Sequence, residues 1–223
     1  MPLARSGKPC PRAVVFDFDR ALIDPRPAWR YTIEEAVVSV TGQPVQAAPL
    51  VEEYHTRPFR HALAILLPPS EDRARCEQLC LEMYRRSAMK RLLVHDGTGM
   101  ALDAMRGERI DLAAISRLPH ATAIKQAQST GLDRFLAILA ATPEGDSWDP
   151  AARFAACLRF LECDPSEAAF ISPEAPDRRV VHRSGAAVFC SAWSPGAGVP
   201  GGGAIASPRD VLPHLHRWWS GIR

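Results

Sequence analysis

The sequence has no long hydrophobic run. Its apolar stretches, such as residues 62–67 before Pro68 and Pro69, are far shorter than the roughly 20 residues that cross a bilayer. The proline-rich start has no apolar signal-peptide core, and no basic cluster accompanies the formal net charge of +2. We therefore expect a cytoplasmic protein that binds neither membranes nor nucleic acids, although it can bind a small anion locally.

The sequence also lacks a CxxC motif and any Cys/His pattern with metal-ligand spacing. Its six cysteines are scattered, which is typical of free thiols in a reducing compartment. Cys76 and Cys80 share one face of a predicted helix, and a metal site there would need further ligands, for which His55 and His61 are conceivable but weak candidates. We predict buried or half-buried thiols at this pair of cysteines and no metal site.

What the chain does contain is enough apolar surface for a packed interior. Hydrophobic residues make up 47% of the 223 positions, which suits one core domain with a modest insertion. The 20 prolines fall mostly at the boundaries of predicted elements. They indicate loops and helix starts, and they do not indicate disorder.

The first apolar run ends in two aspartates. Residues 13–19 read as a buried parallel strand, whose alternation places Asp17 and Asp19 on one side and Phe16 and Phe18 on the other. Two like charges repel unless a cation lies between them, and Mg²⁺ or a phosphate-bearing substrate with its metal would supply that charge. The alternative is that Asp19 caps a following helix and Asp17 is a solvated strand end.

Strand and helix patterns divide the rest of the chain. Residues 25–93 show helical patterns only, with helices predicted at 28–41, 50–67 and 70–91. Beyond them, helical segments separate apolar strands predicted at 110–116, 168–171 and 186–190. This order predicts an α/β fold, in which residues 1–24 and 94–223 form a doubly wound parallel sheet and residues 25–93 form an inserted all-helical domain.

Residues 17–24, DFDRALID, resemble the first motif of the haloacid dehalogenase-like (HAD) superfamily, DxDGT followed by leucine. The resemblance implies that Asp17 attacks a phosphoryl group to form an aspartyl-phosphate. It also implies that Asp19 protonates the leaving oxygen and then activates water. Arg20 and Ala21 depart from the motif, which removes a glycine that permits a tight turn and a threonine hydroxyl.

The second and third motifs are matched unequally. Residues 112–116 resemble the second motif, an apolar strand ending in a hydroxyl, so we expect Ser116 to hold a phosphoryl oxygen. Residues 146–150 match the third motif but contain no lysine; Lys125 lies too early, and Arg153 lies one turn inside the next helix. Loss of one preorganised charge commonly lowers the rate about a hundredfold or more.

The fourth motif, GDxxxD, aligns with residues 172–177, where Pro173 replaces the first acid. Asp177 keeps the second acid, and Glu174 lies beside the lost position. The resemblance implies Mg²⁺ as the cofactor, in a site that is weakened or absent. The expected ligands are Asp17, Asp19, Glu174 and Asp177. The alternative is that Glu174 and Asp177 only begin a helix, where carboxylates are favoured.

The place of the helical insertion resembles the phosphoglycolate phosphatase-like branch of the superfamily, over nearly the whole chain. That resemblance implies a helical cap that closes over the crevice and selects the substrate. Arg57, Arg60 and His61 are candidate substrate contacts, although they also fit an ordinary solvated helix face.

Two functions are compatible with these residues. The first is a hydrolase of phosphoglycolate phosphatase type, with weak or specialised activity, that cleaves a small phosphate monoester through Asp17. In it, Arg20, Ser116 and Arg153 bind the substrate. The second is a catalytically lapsed protein of the same fold that binds a phosphorylated ligand or a protein partner. The missing lysine and the substitutions at the motif positions favour this second function, and Arg20 could clamp a phosphate without catalysing its transfer. A dehalogenase is disfavoured, because that chemistry does not need the second acid, Asp19, which is present here. The absence of the third-motif lysine also disfavours it.

Overall fold

The computed structural model describes residues 11–53, 59–197 and 203–221. The chain divides into two compact units. One contains the described residues up to Ile23 and from Val94 onwards, and the other runs from Asp24 to Leu93. Two residues singled out in the sequence, His55 and Arg57, lie outside the described residues.

The strands belong mainly to the first unit. In chain order they are β1 (Ala13–Asp17), β2 (Ile23–Asp24), β3 (Leu93–Val94), β4 (Asp111–Pro119), β5 (Ile138–Thr142), β6 (Ala168–Ile171), β7 (Ala187–Ser191) and β8 (Ala204–Ile205). Six of them form one sheet in the order β5-β4-β1-β6-β7-β8 with parallel pairing, while β2 and β3 pair separately. The predicted α/β fold with a parallel sheet is confirmed.

Helices flank this sheet and make up most of the second unit. The first unit contains α5 (Thr98–Gly107), α6 (His120–Thr130), α7 (Pro150–Leu161), α8 (Ala175–His182) and α9 (Val211–Trp219). The second contains α1 (Arg26–Thr41), α2 (Ala48–Glu53), α3 (Phe59–Leu66) and α4 (Glu71–Arg86). In the described part of the chain, no helix combines the length and the apolar composition needed to span a membrane.

β1 lies at the centre of the sheet because its sequence tolerates burial on both faces. All five of its residues are buried, and it pairs with β4 on one side and β6 on the other. Its Asp17 is in register with Ile115 of β4, and its Phe16 is in register with Ile171 of β6. The residues that follow these positions in β4 and after β6 are Ser116 and Ser172. The register therefore brings both hydroxyls to the edge of the sheet where Asp17 ends β1.

The structure differs from the sequence prediction at the first strand, at the second helix and at β5, among other elements. The first strand ends at Asp17, and Phe18–Leu22 forms a turn of π-helix, so strand alternation does not orient Asp19. The helix predicted over residues 50–67 is described as α2 and α3, on either side of residues 54–58. β5 was not predicted, because its run of Ile, Leu and Ala is as compatible with a helix as with a strand.

The second unit has its own packed interior between α1 and α4. Ser70 caps α4 by accepting a hydrogen bond from the Arg73 N–H at 3.2 Å. Cys76 and Cys80 lie on the face of α4 that packs on α1, and each thiol is 3.7 Å from an α1 carbonyl oxygen. Both side chains are fully buried, which confirms the prediction of buried thiols. Cys157, Cys163 and Cys190 are buried thiols of the first unit.

Candidate active site

Charged and hydroxyl side chains meet at the carboxyl ends of β1, β4 and β6. Asp17 ends β1, Asp19 lies in the π-helical turn that follows, and Asp177 lies in the first turn of α8. These three carboxylates are between 1% and 5% exposed. Because burial of unpaired charge is very unfavourable, their surroundings must supply protons, hydrogen bonds or cations.

Asp17 has one oxygen bound and one free. Its Oδ2 accepts a hydrogen bond from the Ser172 hydroxyl at 3.0 Å, whereas its buried Oδ1 has no hydrogen-bond partner among the described residues. Burial raises the pKa of Asp17 to about 7, an effect opposed chiefly by the positive charge of Arg117. Asp17 is therefore ionised in only part of the molecules near neutral pH.

Two residues of β4 donate hydrogen bonds to the carboxyl group of Asp19. The Ser116 hydroxyl lies 2.9 and 3.0 Å from its two oxygens, and the backbone N–H of Arg117 donates to Oδ2 at 2.7 Å. Burial raises the pKa of Asp19, although these hydrogen bonds and the nearby arginines oppose the effect. Ser116 thus lies beside Asp19, which engages its hydroxyl. The expected contact between Ser116 and a phosphoryl oxygen stays a prediction.

Arg117 is the site residue that the sequence analysis missed. Its Nη2 donates to Asp177 Oδ2 at 2.5 Å, and its guanidinium lies 4.6 Å from the centre of the Trp148 ring. The indole Nε1–H of Trp148 also donates to Asp177, 3.2 Å from Oδ2. The buried Nε of Arg117 has no hydrogen-bond partner among the described residues.

A break in strand regularity accounts for the position of Arg117. In a regular strand, its side chain would leave the sheet on the opposite side from Ser116. The β4–β5 register shifts between Ser116 and Pro119, and irregularities of this kind re-aim side chains at strand ends. The only signal in the sequence was the place of an arginine directly after Ser116.

Arg20 forms a second ion pair in the site. It is 4% exposed, its Nη1 pairs with Glu174, and its Nη2 donates to the Pro195 carbonyl at 2.5 Å. Burial lowers the pKa of Arg20. The structure therefore brings together Arg20 and Glu174, which the sequence analysis had assigned to substrate and to metal.

Three further candidates from the sequence are Arg153, Arg60 and His61. Arg153 is on α7, and its Nη1 donates to the Ala141 carbonyl in β5 at 3.1 Å. Its described hydrogen bonds do not include a carboxylate of the site. Arg60 and His61 lie on α3 in the second unit, where Arg60 forms an exposed ion pair with Glu77. Their role in substrate contact stays a prediction.

The side chains present do not fit the Mg²⁺ site that the resemblance implies. Within residues 11–53, 59–197 and 203–221, no group of three or more His, Cys, Asp or Glu side chains is arranged to hold a metal ion. Two of the four expected ligands, Glu174 and Asp177, are instead paired with Arg20 and Arg117. A guanidinium bonded to a carboxylate repels a cation approaching the same group.

No family model matches the chain, and no curated protein matches it. Solved structures match it over nearly its full length. A HAD-superfamily hydrolase, subfamily IA, variant 1, from Geobacter sulfurreducens is 19% identical with a TM-score of 0.78, and the match covers 96% of this chain and 100% of that one. A predicted phosphoglycolate phosphatase from Haemophilus somnus 129PT is 15% identical with a TM-score of 0.75, covering 93% and 99%.

A third solved structure contains a ligand. CbbY from Rhodobacter sphaeroides, in complex with phosphate, is 16% identical with a TM-score of 0.69, and the match covers 92% of this chain and 99% of that one. At these identities the likeness establishes the fold. The resemblance to HAD-superfamily hydrolases predicted from the motifs is confirmed at that level.

Proposed function

We propose that this chain hydrolyses a small phosphate monoester through an aspartyl-phosphate on Asp17. The observation that carries the proposal is the buried Oδ1 of Asp17, which has no hydrogen-bond partner among the described residues. Beside it lies Asp19, a second buried carboxyl with a raised pKa. A carboxylate with a free oxygen beside a second carboxyl whose pKa is raised is the pairing that nucleophilic catalysis with acid assistance requires.

The reaction would proceed in two steps. Oδ1 of ionised Asp17 attacks phosphorus, the ester P–O bond breaks, and the leaving oxygen takes its electron pair and the proton of Asp19. Asp19, now ionised, then accepts a proton from water as the water oxygen attacks phosphorus. Inorganic phosphate leaves, and the carboxylate of Asp17 is regenerated.

The arginines would stabilise the charge that develops on the phosphoryl oxygens. The buried Nε–H of Arg117 lacks a hydrogen-bond partner among the described residues, so a donor is available there without breaking the Asp177 ion pair. Fold neighbours are described as phosphatases, and one contains phosphate, which supports a phosphorylated substrate. The cap role implied for residues 25–93 stays a prediction.

A second candidate function, ligand binding without turnover, is favoured by the two ion pairs. The buried Arg20 pairs with Glu174, and the partly exposed Arg117 pairs with Asp177, so a carboxylate engages each guanidinium. The stretch expected to supply a lysine contains none. A phosphorylated ligand could be held by such a site even if the barrier to transfer stayed high.

The two functions separate in an assay of phosphate release. Purified chain would be incubated with a panel of small phosphate monoesters, with EDTA and separately with Mg²⁺, alongside Asp17→Asn. Hydrolysis predicts release that falls at least about a hundredfold in the variant. Asp103→Asn, which changes an exposed aspartate on α5, should release phosphate at the wild-type rate. Equal background release by all three chains would reject hydrolysis of this panel. Thermal stabilisation by a panel member under those conditions would then support binding without turnover.

A further inference from the structure

The carboxylate cluster already contains its own cations. We propose that the guanidinium of Arg117, held in place by Trp148, occupies the cation position of this site, so that the chain functions without a divalent metal. The inference deepens the proposed function and rests on it only where activity is measured. The metal-binding part can be tested whether or not the chain is a hydrolase.

Two arginines supply as much positive charge as the implied ion. Arg20 and Arg117 together carry two positive charges, as one Mg²⁺ ion would. They are distributed over the carboxylates predicted to bind that ion, with Arg20 on Glu174 and Arg117 on Asp177. The Arg117 charge also acts on Asp17 and Asp19. An additional cation would meet two guanidiniums at short range in a buried setting, where repulsion is strong.

The side chain of Arg117 is held rigidly at the cluster. Arg117 is fixed from two sides, by the 2.5 Å bond to Asp177 and by the Trp148 ring at 4.6 Å. The indole N–H of Trp148 donates to the same carboxylate, so each of the three side chains contacts the other two. Mg²⁺ demands near-octahedral oxygen ligands and loses its water reluctantly. To use Asp177, it would have to break a partly buried, charge-assisted hydrogen bond.

Arg117 stands in for the lysine that the third motif lacks. Trp148 lies within residues 146–150, the stretch in which the third motif should supply a lysine. An aromatic ring stands there instead, and it supports a guanidinium that comes from the end of β4. The positive charge missing from one loop is thus supplied by a neighbouring strand through the irregularity after Ser116.

Removing the guanidinium should open a metal site. Mn²⁺, which accepts the same carboxylate ligands as Mg²⁺, would be titrated into the full chain, and the free ion would be followed by electron paramagnetic resonance. We expect Arg117→Ala to bind Mn²⁺ about tenfold or more tightly than the wild type. Asp177→Asn added to Arg117→Ala should abolish the gain. Arg106→Ala, which removes an arginine on α5 that bonds the Arg134 carbonyl, should behave as the wild type.

Arg117→Gln serves if Arg117→Ala does not fold, because it keeps most of the side chain while removing its charge. Circular dichroism would establish that each variant is folded before titration. Tight Mn²⁺ binding by the wild type that is lost in Asp17→Asn would overturn the proposal. The proposal would also be overturned if Arg117→Ala and Arg117→Gln both fold but bind Mn²⁺ no more tightly than the wild type. The guanidinium of Arg117 would then not occupy the place of a metal ion.

Phosphate release tests metal independence separately from the Mn²⁺ titration. If the wild type releases phosphate, EDTA should leave the rate unchanged, and a loss of activity restored by Mg²⁺ would contradict metal independence. If the wild type releases none, the proposed hydrolysis fails, while the Mn²⁺ titration still decides the role of Arg117.

Discussion

The position of Asp17 in the fold favours its protonated form, whereas its proposed role as a nucleophile needs the ionised form. Its place at the end of a central strand buries it, and burial raises its pKa to about 7 even though Arg117 and Arg20 act in the other direction. Nucleophilic attack needs the ionised form, which the surroundings make costly. The free Oδ1 is a further cost, because a buried acceptor without a donor loses its hydration.

This cost predicts how stability depends on pH. The pKa of Asp17 is raised from 3.8 to about 7 by folding, so the folded chain holds a proton that the unfolded chain releases. The stabilisation of the fold by this bound proton is therefore present at low pH. It is lost as the pH rises through about 7, so the free energy of unfolding falls. Asp17→Asn should be more stable than the wild type by about 2–4 kcal/mol at pH 8, and the gain should shrink toward pH 5.

Urea denaturation at the two pH values measures this difference. Asp103→Asn controls for loss of a surface charge, since Asp103 is exposed on α5. A stability difference between Asp17→Asn and the wild type that does not change with pH would contradict the raised pKa.

At the scale of elements, the start of α7 shows how local sequence determines structure. Asp149 accepts a hydrogen bond from the Ala152 N–H at 3.0 Å, and Pro150 occupies the first helical position. Asp149→Ala should lower the free energy of unfolding by about 1 kcal/mol. Asp149→Asn should retain most of it, because asparagine is an equally good cap. Urea midpoints compare the variants, and equal losses in both would show that the negative charge, not the cap, matters.

The elements also show what sequence patterns can predict. β1 and β6 were predicted closely because uninterrupted apolar runs bounded by turn residues are typical of buried parallel strands. β5 was missed because its composition does not separate strand from helix. Asp17, Asp19 and Ser116 were predicted from motifs, and the structure brings them together. Arg117, in contrast, enters this cluster through an irregularity of β4 that no local pattern predicts.

At the scale of the molecule, each unit has an interior of its own. In the first unit, Phe170 of β6 is fully buried, and its ring lies 5.9 Å from that of Phe154 on α7 in an edge-to-face arrangement. In the second unit, α1 and α4 enclose Cys76 and Cys80. Contacts concentrate within each unit, so a cavity in one should weaken that unit first.

Phe170→Ala tests this expectation. Truncation of a buried phenylalanine commonly lowers stability by about 3–5 kcal/mol. Hydrogen exchange followed by mass spectrometry should show faster exchange of amides in β1, β4 and β6, with those of α1 and α4 largely unchanged. The reciprocal variant is Ile33→Ala, at a fully buried position of α1, which should affect the helical unit first. Equal acceleration across both units in each variant would show that they open together.

The buried thiols give the chain an intrinsic reporter of that opening. Burial raises the pKa of Cys80 and of Cys157 to about 12, so neither forms an appreciable amount of thiolate near neutral pH while it is folded. Cys80 lies in the helical unit and Cys157 in the sheet unit. An alkylating reagent would therefore modify each cysteine only when its own surroundings come apart. The order in which the two are modified would give the order in which the two halves of the molecule unfold, without any introduced label.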